Sequence, residues 1–365
     1  MKPASAIRTL LLASLLLPWL PSDLPADGDP VKKDRSLFIV PVAYYTPETR
    51  IAAGLTGIWA FRFAAEEPGV PASSLRTAMV YTQNKQTQLQ LYWDLIMRGS
   101  ALRINGDLRY ARYPQRFYGI GPDTDEEQKE TYSSDTLKFR LNLDRRIVSG
   151  WNAGLHFEWN RESMRETEAD GMLASGRLPG ALGGNVSGVG VYWLRDTRDS
   201  TFAPRRGLYL RAEWDSFLSW LGGDFRYSML TLDSRGYLPM GSGQQAAAQL
   251  LVQQGSGTIP FQSMPGLGGQ NLLRGVHQGR FRDRRLLALQ ADWRVTLGRR
   301  FGGVLFTGIG QVAPTWSRLD LTEAHLTFGA GVRYLFKPKD GIGIRGDIGF
   351  FAGKPAFYLT VGEAF

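Results

Sequence analysis

Cysteine is missing altogether. That absence excludes disulfides, thiolate metal centres and a lipid-modified N-terminal cysteine. Histidine is scarce: His156, His277 and His325 are the three in the chain. No two of them stand at ligand spacing, and they read as a strand residue, a loop residue and a strand-start residue. There is no G-x-S-x-G nucleophile elbow, so no nucleophile, base and orienting residue can be assembled from motifs. We expect no enzyme and no cofactor. Long apolar runs are also absent beyond the first 26 residues, which excludes a helical membrane span. No amphipathic helix stands out after residue 30. The net charge of +9 could suit nucleic acid. However, the cations are spread singly along strand-like segments and no binding motif accompanies them, so no nucleic-acid partner is expected.

What is present begins with an export signal. Lys2 and Arg8 flank an 11-residue apolar core, LLLASLLLPWL (Leu10 to Leu20), inside the usual ~7–15. We place a signal peptide over 1–26, with cleavage near Ala26, and a short periplasmic segment over 27–36.

From residue 37 onward, segments with period two recur. In TLKFRLNLD (136–144), Leu137, Phe139, Leu141 and Leu143 alternate with Lys138, Arg140, Asn142 and Asp144. The stretches 88–95, 101–110, 287–295 and 342–350 behave alike. Soluble sheets alternate too, but their strands average about 5–6 residues. These run to ten or more, as a tilted membrane strand of about 9–11 requires. Trp and Tyr recur near segment ends (Tyr44, Tyr45, Trp59, Tyr110, Tyr113, Trp151, Trp159, Trp193, Tyr209, Trp220, Trp316, Tyr334), as an interfacial girdle does.

Sixteen strands are predicted: 37–46, 50–63, 74–84, 86–97, 101–113, 133–147, 150–163, 184–196, 207–219, 223–238, 243–254, 284–297, 301–314, 323–336, 341–352 and 355–365. An even number is normal for bacterial barrels. Residues 37–365 are therefore expected to be an all-β, 16-stranded antiparallel transmembrane β-barrel. Four links are long (64–73, 114–132, 164–183, 255–283), others are turn-like (47–49, 98–100, 337–340), and the two kinds are expected to alternate between faces. The acidic run Asp123–Glu130 reads as a solvated loop surface.

Two faces follow from the alternation. Along 287–295, Leu287, Leu289, Ala291, Trp293 and Val295 take one side, and Ala288, Gln290, Asp292 and Arg294 the other. In a barrel the polar side lines the lumen. The lumenal cations Arg103, Arg109, Lys138, Arg140, Arg294 and Arg345 outnumber Asp107, Asp144, Asp292 and Asp347, so a plain pore would favour anions. The terminal strand FYLTVGEAF places Phe357, Leu359, Val361 and Phe365 on one side, with Tyr358, Thr360, Gly362 and Ala364 opposite. An aromatic residue closing an amphipathic strand resembles the signal that outer-membrane barrels present to the barrel assembly machinery. We assign that role to Phe357, Leu359, Gly362 and Phe365. Gly362 also weakens the strand that must close on the first.

Four spaced motifs carry a family resemblance over roughly residues 36–365. LLRGV (Leu272–Val276), then RFRDR (Arg280–Arg284), resembles the loop motif of the BamA/TamA superfamily of bacterial surface antigen barrels. RDTRDSTFAPRRGLYL (Arg195–Leu210) resembles its aspartate-rich turn, and FGGVLFTGIGQV (Phe301–Val312) a late barrel strand. The resemblance implies that the long glycine-rich loop folds into the lumen. Its arginine, Arg274, followed by Gly275 and reinforced by Arg282, would meet Asp292 on the next strand in a charge-assisted pair. The family's second acid aligns with Gly308 here, so support for the anchor falls to Asp347.

The resemblance also implies a protein or lipid translocation or insertion function in the outer membrane of a Gram-negative cell. The partners it implies are outer-membrane lipid and lipopolysaccharide, and a homodimer is possible. Asp27 to Ser36 is too short for the periplasmic POTRA domains of family members, so a separate periplasmic partner would have to replace them.

Overall fold

The computed structural model describes residues 35–63, 72–97, 101–200, 203–337 and 342–365. The expected signal peptide, almost all of 27–36, most of the link 64–73 and the turns at 98–100 and 338–340 lie outside the described residues.

The first eleven strands follow one another directly. They are β1 (Arg35–Thr46), β2 (Arg50–Phe61), β3 (Ser73–Thr82), β4 (Thr87–Met97), β5 (Leu102–Phe117), β6 (Glu130–Val148), β7 (Trp151–Thr167), β8 (Gly184–Asp196), β9 (Gly207–Phe217), β10 (Tyr227–Gly241) and β11 (Gln244–Gly257). A long loop then holds two short strands, β12 (Gly266–Leu267) and β13 (Phe281–Arg282). β14 (Arg285–Leu297), β15 (Phe301–Ala313), β16 (His325–Lys337), β17 (Ile342–Phe351) and β18 (Lys354–Val361) complete the chain. All but β12 and β13 form one closed antiparallel barrel of sixteen strands, with β14 beside β11 and β18 beside β1. Closure gives every strand two neighbours, which an open sheet in hydrocarbon could not.

Alternation becomes two surfaces. Along β14, Gln290, Asp292 and Arg294 are buried towards the lumen, while Leu289 and Trp293 face outward. Leu305 is 53% exposed, Phe328 58% and Val332 68% on the same outer surface. Large contiguous apolar surface of this kind is unstable against water and stable against lipid. Trp59, Trp193, Trp214 and Trp293 lie on it. Not every predicted girdle residue does: Tyr113 and Tyr209 line lumenal cavities. An aromatic ring packs equally well against a wet wall, so residue type alone did not assign the face.

Three other expectations are corrected. First, the links 118–129, 168–183 and 258–284 leave from one end of the barrel, but β2 ends and β3 begins at the opposite end, where the turns 149–150, 242–243 and 298–300 lie. Second, the acidic run is not wholly solvated. Glu130 opens β6, is buried, and its carboxylate accepts from the amides of Met172 and Leu173. Third, β18 ends at Val361. Gly362 adopts φ +79, a conformation most side chains avoid, and its amide donates to the Gly343 carbonyl at 3.0 Å. The chain turns inward there. Phe357, Leu359 and Val361 stay on the outer surface, whereas Phe365 is buried with Tyr237, Ala247 and Ala364. Period two predicts a face only while the strand continues.

Candidate functional site

The site is where the long loop enters the lumen. Its sequence cannot extend as a strand, because glycines punctuate it. Instead β12 pairs with β13, Gly266 opposite Arg282 and Leu267 opposite Phe281, which leaves 268–280 as a tip. Leu267, Leu273, Val276 and Phe281 then bury against Leu286, Ala288 and Val312 of β14 and β15. The loop has its own apolar underside and seats it on the few apolar lumenal residues of the wall.

Two glycines bring the tip's backbone against a strand. Gly275 has φ +118, and a Cβ there would sit 2.9 Å from the Phe350 carbonyl carbon. A Cβ on Gly349 would overlap the Arg274 carbonyl. Both positions must therefore lack a side chain for Arg274 to reach its depth. The Gly275 amide donates to the Tyr358 hydroxyl at 3.1 Å, and the Leu273 amide donates to Gln290 Oε1 at 3.2 Å.

Arg274 is 1% exposed. Its Nη2 donates to Asp292 Oδ1, and its Nη1 donates to Asp347 Oδ2 at 2.9 Å. The guanidinium carbon lies 3.7 Å from the centre of the Phe306 ring, a cation–π stack that a desolvated cation gains from most. The two acids also serve wall arginines. Arg294 Nη2 donates to Asp292 at 3.0 Å, and Arg333 Nη1 to Asp347 at 2.6 Å. Arg333 also pairs with Glu363 at 2.9 Å. Arg345 Nη1 lies 3.6 Å from Asp347, and its Nη2 donates to the Gln270 carbonyl and to Asn271 Oδ1, both at 2.9 Å. Four arginines and three carboxylates thus join the loop to β14, β16, β17 and the C-terminal turn.

Of the predicted site residues, the structure brings Arg274, Gly275, Asp292, Arg294, Arg345 and Asp347 together. Arg282 does something else. It is buried, donates to the Phe261 carbonyl at 3.0 Å and lies 5.7 Å from the Phe117 and Phe261 rings. Burial, with no carboxylate beside it, pulls its pKa down. It ties the loop both to itself and to the wall at the end of β5, where Phe117 lies beside it and its own carbonyl accepts from the Gly121 amide at 2.9 Å. Arg103, Arg109, Lys138 and Arg140 line open cavities instead. Sequence reasoning missed Arg333 and Glu363. Arg333 shares the lumenal parity of Thr327 on β16, so alternation could have found it. Glu363 follows the inward turn and could not be placed that way.

Among the described residues, two lumenal cavities have volumes of about 500 Å³ and 880 Å³. The smaller is lined by Arg76, Arg103, Arg140 and Arg211, matched by Asp94, Asp107, Glu213 and Asp233. The larger, beside the loop, has Lys85, Arg109, Arg116, Lys138 and Arg282 against Glu48 and Glu162. The expected cationic excess holds only at the loop end. Alternation in the chosen segments does not reach Glu213 and Asp233, nor Arg76 and Arg211, which offset part of them. Asp94, on the polar side of 88–95, adds to the acids counted from sequence.

A family model described as the Omp85 superfamily domain matches residues 72–336. No curated protein matches the chain. Among solved structures, the chain is similar to BamA from Haemophilus ducreyi lacking POTRA domains 1–3 (TM-score 0.64, 12% identity, 91% of this chain and 70% of that one). It also resembles CdiB from Acinetobacter baumannii (TM-score 0.59, 11% identity, 90% and 60%). CdiB from Escherichia coli is similar as well (TM-score 0.59, 8% identity, 88% and 62%). The chain thus spans less than two thirds of either CdiB chain.

Proposed function

Because the chain belongs to the Omp85 superfamily, we propose that it sits in the outer membrane of a Gram-negative cell and moves protein or lipid across or into that membrane. In this reading the loop 258–284 is a plug. The observation that carries it is the burial of Arg274 between Asp292 and Asp347, since a loop seated this deeply obstructs the lumen at rest. A second observation supports the cargo class. β1 pairs with β2 along its whole length but meets β18 at the single register position Tyr45–Leu359. A short closing ladder is the weakest point of the wall, and a sideways exit there suits a cargo bound for the bilayer. The balanced smaller cavity gives no support to an anion pore.

Conductance across a planar bilayer tests the plug. The wild-type barrel should give small, flickering currents, and Arg274→Ala should raise them. A large steady wild-type current, unchanged by the substitution, would return the protein to the class of plain pores. Photocrosslinking in cells from positions on β1 and β18 tests the cargo. Nascent barrel proteins or lipid should be trapped there.

A further inference from the structure

A second polar cluster lies across the lumen from the plug, on the wall strands β7 to β9. On adjacent strands β7, β8 and β9, His156, Gly190 and Asp215 occupy one rung: His156 pairs with Gly190, and Gly190 with Asp215. The middle residue has no side chain. A Cβ on Gly190 would overlap Asp215 Oδ1, so the glycine makes room for its two neighbours to lean together. Glu213, two residues before Asp215, points to the same side. One donor atom from each of His156, Glu213 and Asp215 lies within 4.8 Å of the other two.

The hydrogen bonds around the ring fix its tautomer. Asn142 uses its amide nitrogen to donate to Asn105 Oδ1 at 2.9 Å. Its oxygen therefore faces His156 Nδ1, 2.7 Å away, and Nδ1 must carry the proton. In the neutral ring Nε2 then carries the lone pair, in a residue only 4% exposed, with Glu158 Oε2 3.7 Å away. One ring nitrogen held by an outer partner while the other is free is the usual arrangement of a metal-bound imidazole.

The carboxylates nearby divide sharply. Glu158 takes Lys138 at 2.7 Å and Arg140 at 2.8 Å, and Glu213 takes Arg211. Asp215 is 7% exposed, has no cation of its own, and no nitrogen donor reaches its Oδ1; its carboxyl instead abuts that of Glu213. Two buried carboxyls this close cannot both stay charged unless a cation lies between them; without one they must share a proton.

We infer that His156, Glu213 and Asp215 form a lumenal site for a divalent transition-metal ion of the Zn²⁺ type. One imidazole and two carboxylates suit such an ion better than Mg²⁺ or Ca²⁺, which prefer oxygen alone. Nitrogen and oxygen ligands would sit about 2.0–2.2 Å from the ion. The smaller cavity borders Glu213, Arg140 and Asn142 and supplies an aqueous approach. The inference stands whether or not the loop acts as a plug.

The test is calorimetric titration of the full-length, untagged protein in detergent micelles with Zn²⁺, and Co²⁺ absorption as a second readout. One equivalent of Zn²⁺ should bind. His156→Gln and Asp215→Asn should each weaken binding at least about tenfold, and Gly190→Ala should do so by displacing Asp215. Circular dichroism reports whether each variant keeps its β-structure. Should a variant not fold, the wild-type stoichiometry and a visible Co²⁺ band of imidazole–carboxylate type still decide. Absence of binding by the wild type, or equal binding by a folded His156→Gln variant, would overturn the site.

Discussion

At the scale of single residues, the plug network is decided by a charge count. Arg274, Arg294, Arg333 and Arg345 face Asp292, Asp347 and Glu363, an excess of one cation among the side chains, with the Phe365 main-chain oxygen a further acceptor for Arg294 at 3.3 Å. Removing Arg274 makes the remainder neutral: Asp292 keeps Arg294, and Asp347 keeps Arg333. Removing Asp292 instead doubles the excess and leaves Arg294 with only weaker partners. Uncompensated buried charge costs roughly 3–5 kcal/mol. We therefore expect Asp292→Ala to destabilise the barrel by about that much, and Arg274→Ala by less, about 1–3 kcal/mol. Urea unfolding in micelles measures both, and the reverse order would show that charge balance does not govern the cluster. Arg274→Lys should not restore the wild type, because one ammonium cannot bridge two acids and stack on Phe306 together. The residues of this network were legible where strand parity reached. Asp292, Arg294, Arg345 and Asp347 could all be assigned to the lumen from alternation, and the arginine that meets them from the loop motif. Glu363 escaped because its position depends on the inward turn at Gly362.

At the scale of elements, the strands were readable because lipid and lumen impose opposite demands every second residue. Their ends were less so. β5 and β6 run on to Phe117 and Glu130, past the last clear alternation, since the ladder continues where Phe117 and Tyr132 are buried against the loop residues Leu173 and Phe261. The β12–β13 pair was invisible, since thirteen residues of glycine-rich tip separate two-residue strands with no period to detect. Strand pairing itself makes a prediction. β6 pairs with β5 over residues 130–145 and with β7 over 132–148, whereas β18 meets β1 at one register position. Amides of β18 directed at β1 should therefore open with little cost. Hydrogen exchange followed by mass spectrometry in micelles should show the peptide covering Lys354–Val361 exchanging well before the peptides of β6. Equal protection would mean that the seam is as firm as the rest of the wall.

At the scale of the whole molecule, the distribution of charge along the lumen matters more than its total. The net charge of +9 suggests a cationic tube, yet around the smaller cavity four arginines meet four carboxylates. The excess is confined to the larger cavity, where Arg109, Arg116 and Lys138 stand on the wall beside the loop, Lys138 partly offset by Glu158 at 2.7 Å and Arg109 by Asp107 at 3.5 Å. An ion crossing an unplugged barrel would pass one neutral section and one basic section in series. Only the basic section discriminates, and its cations are partly exposed, so their field is screened within about 8–10 Å at 0.1–0.15 M salt and about 3 Å at 1 M. The Arg274→Ala barrel should therefore favour anions by no more than a few-fold in dilute salt, and the preference should fade towards 1 M. Replacing Arg109 and Lys138 together by glutamine should abolish it, whereas replacing Arg103, which pairs with Asp94 at 2.6 Å, should push the smaller cavity towards cations. Reversal potentials across a salt gradient read all three. A strong anion preference that survives 1 M salt would mean that the lumenal carboxylates do not offset the arginines beside them.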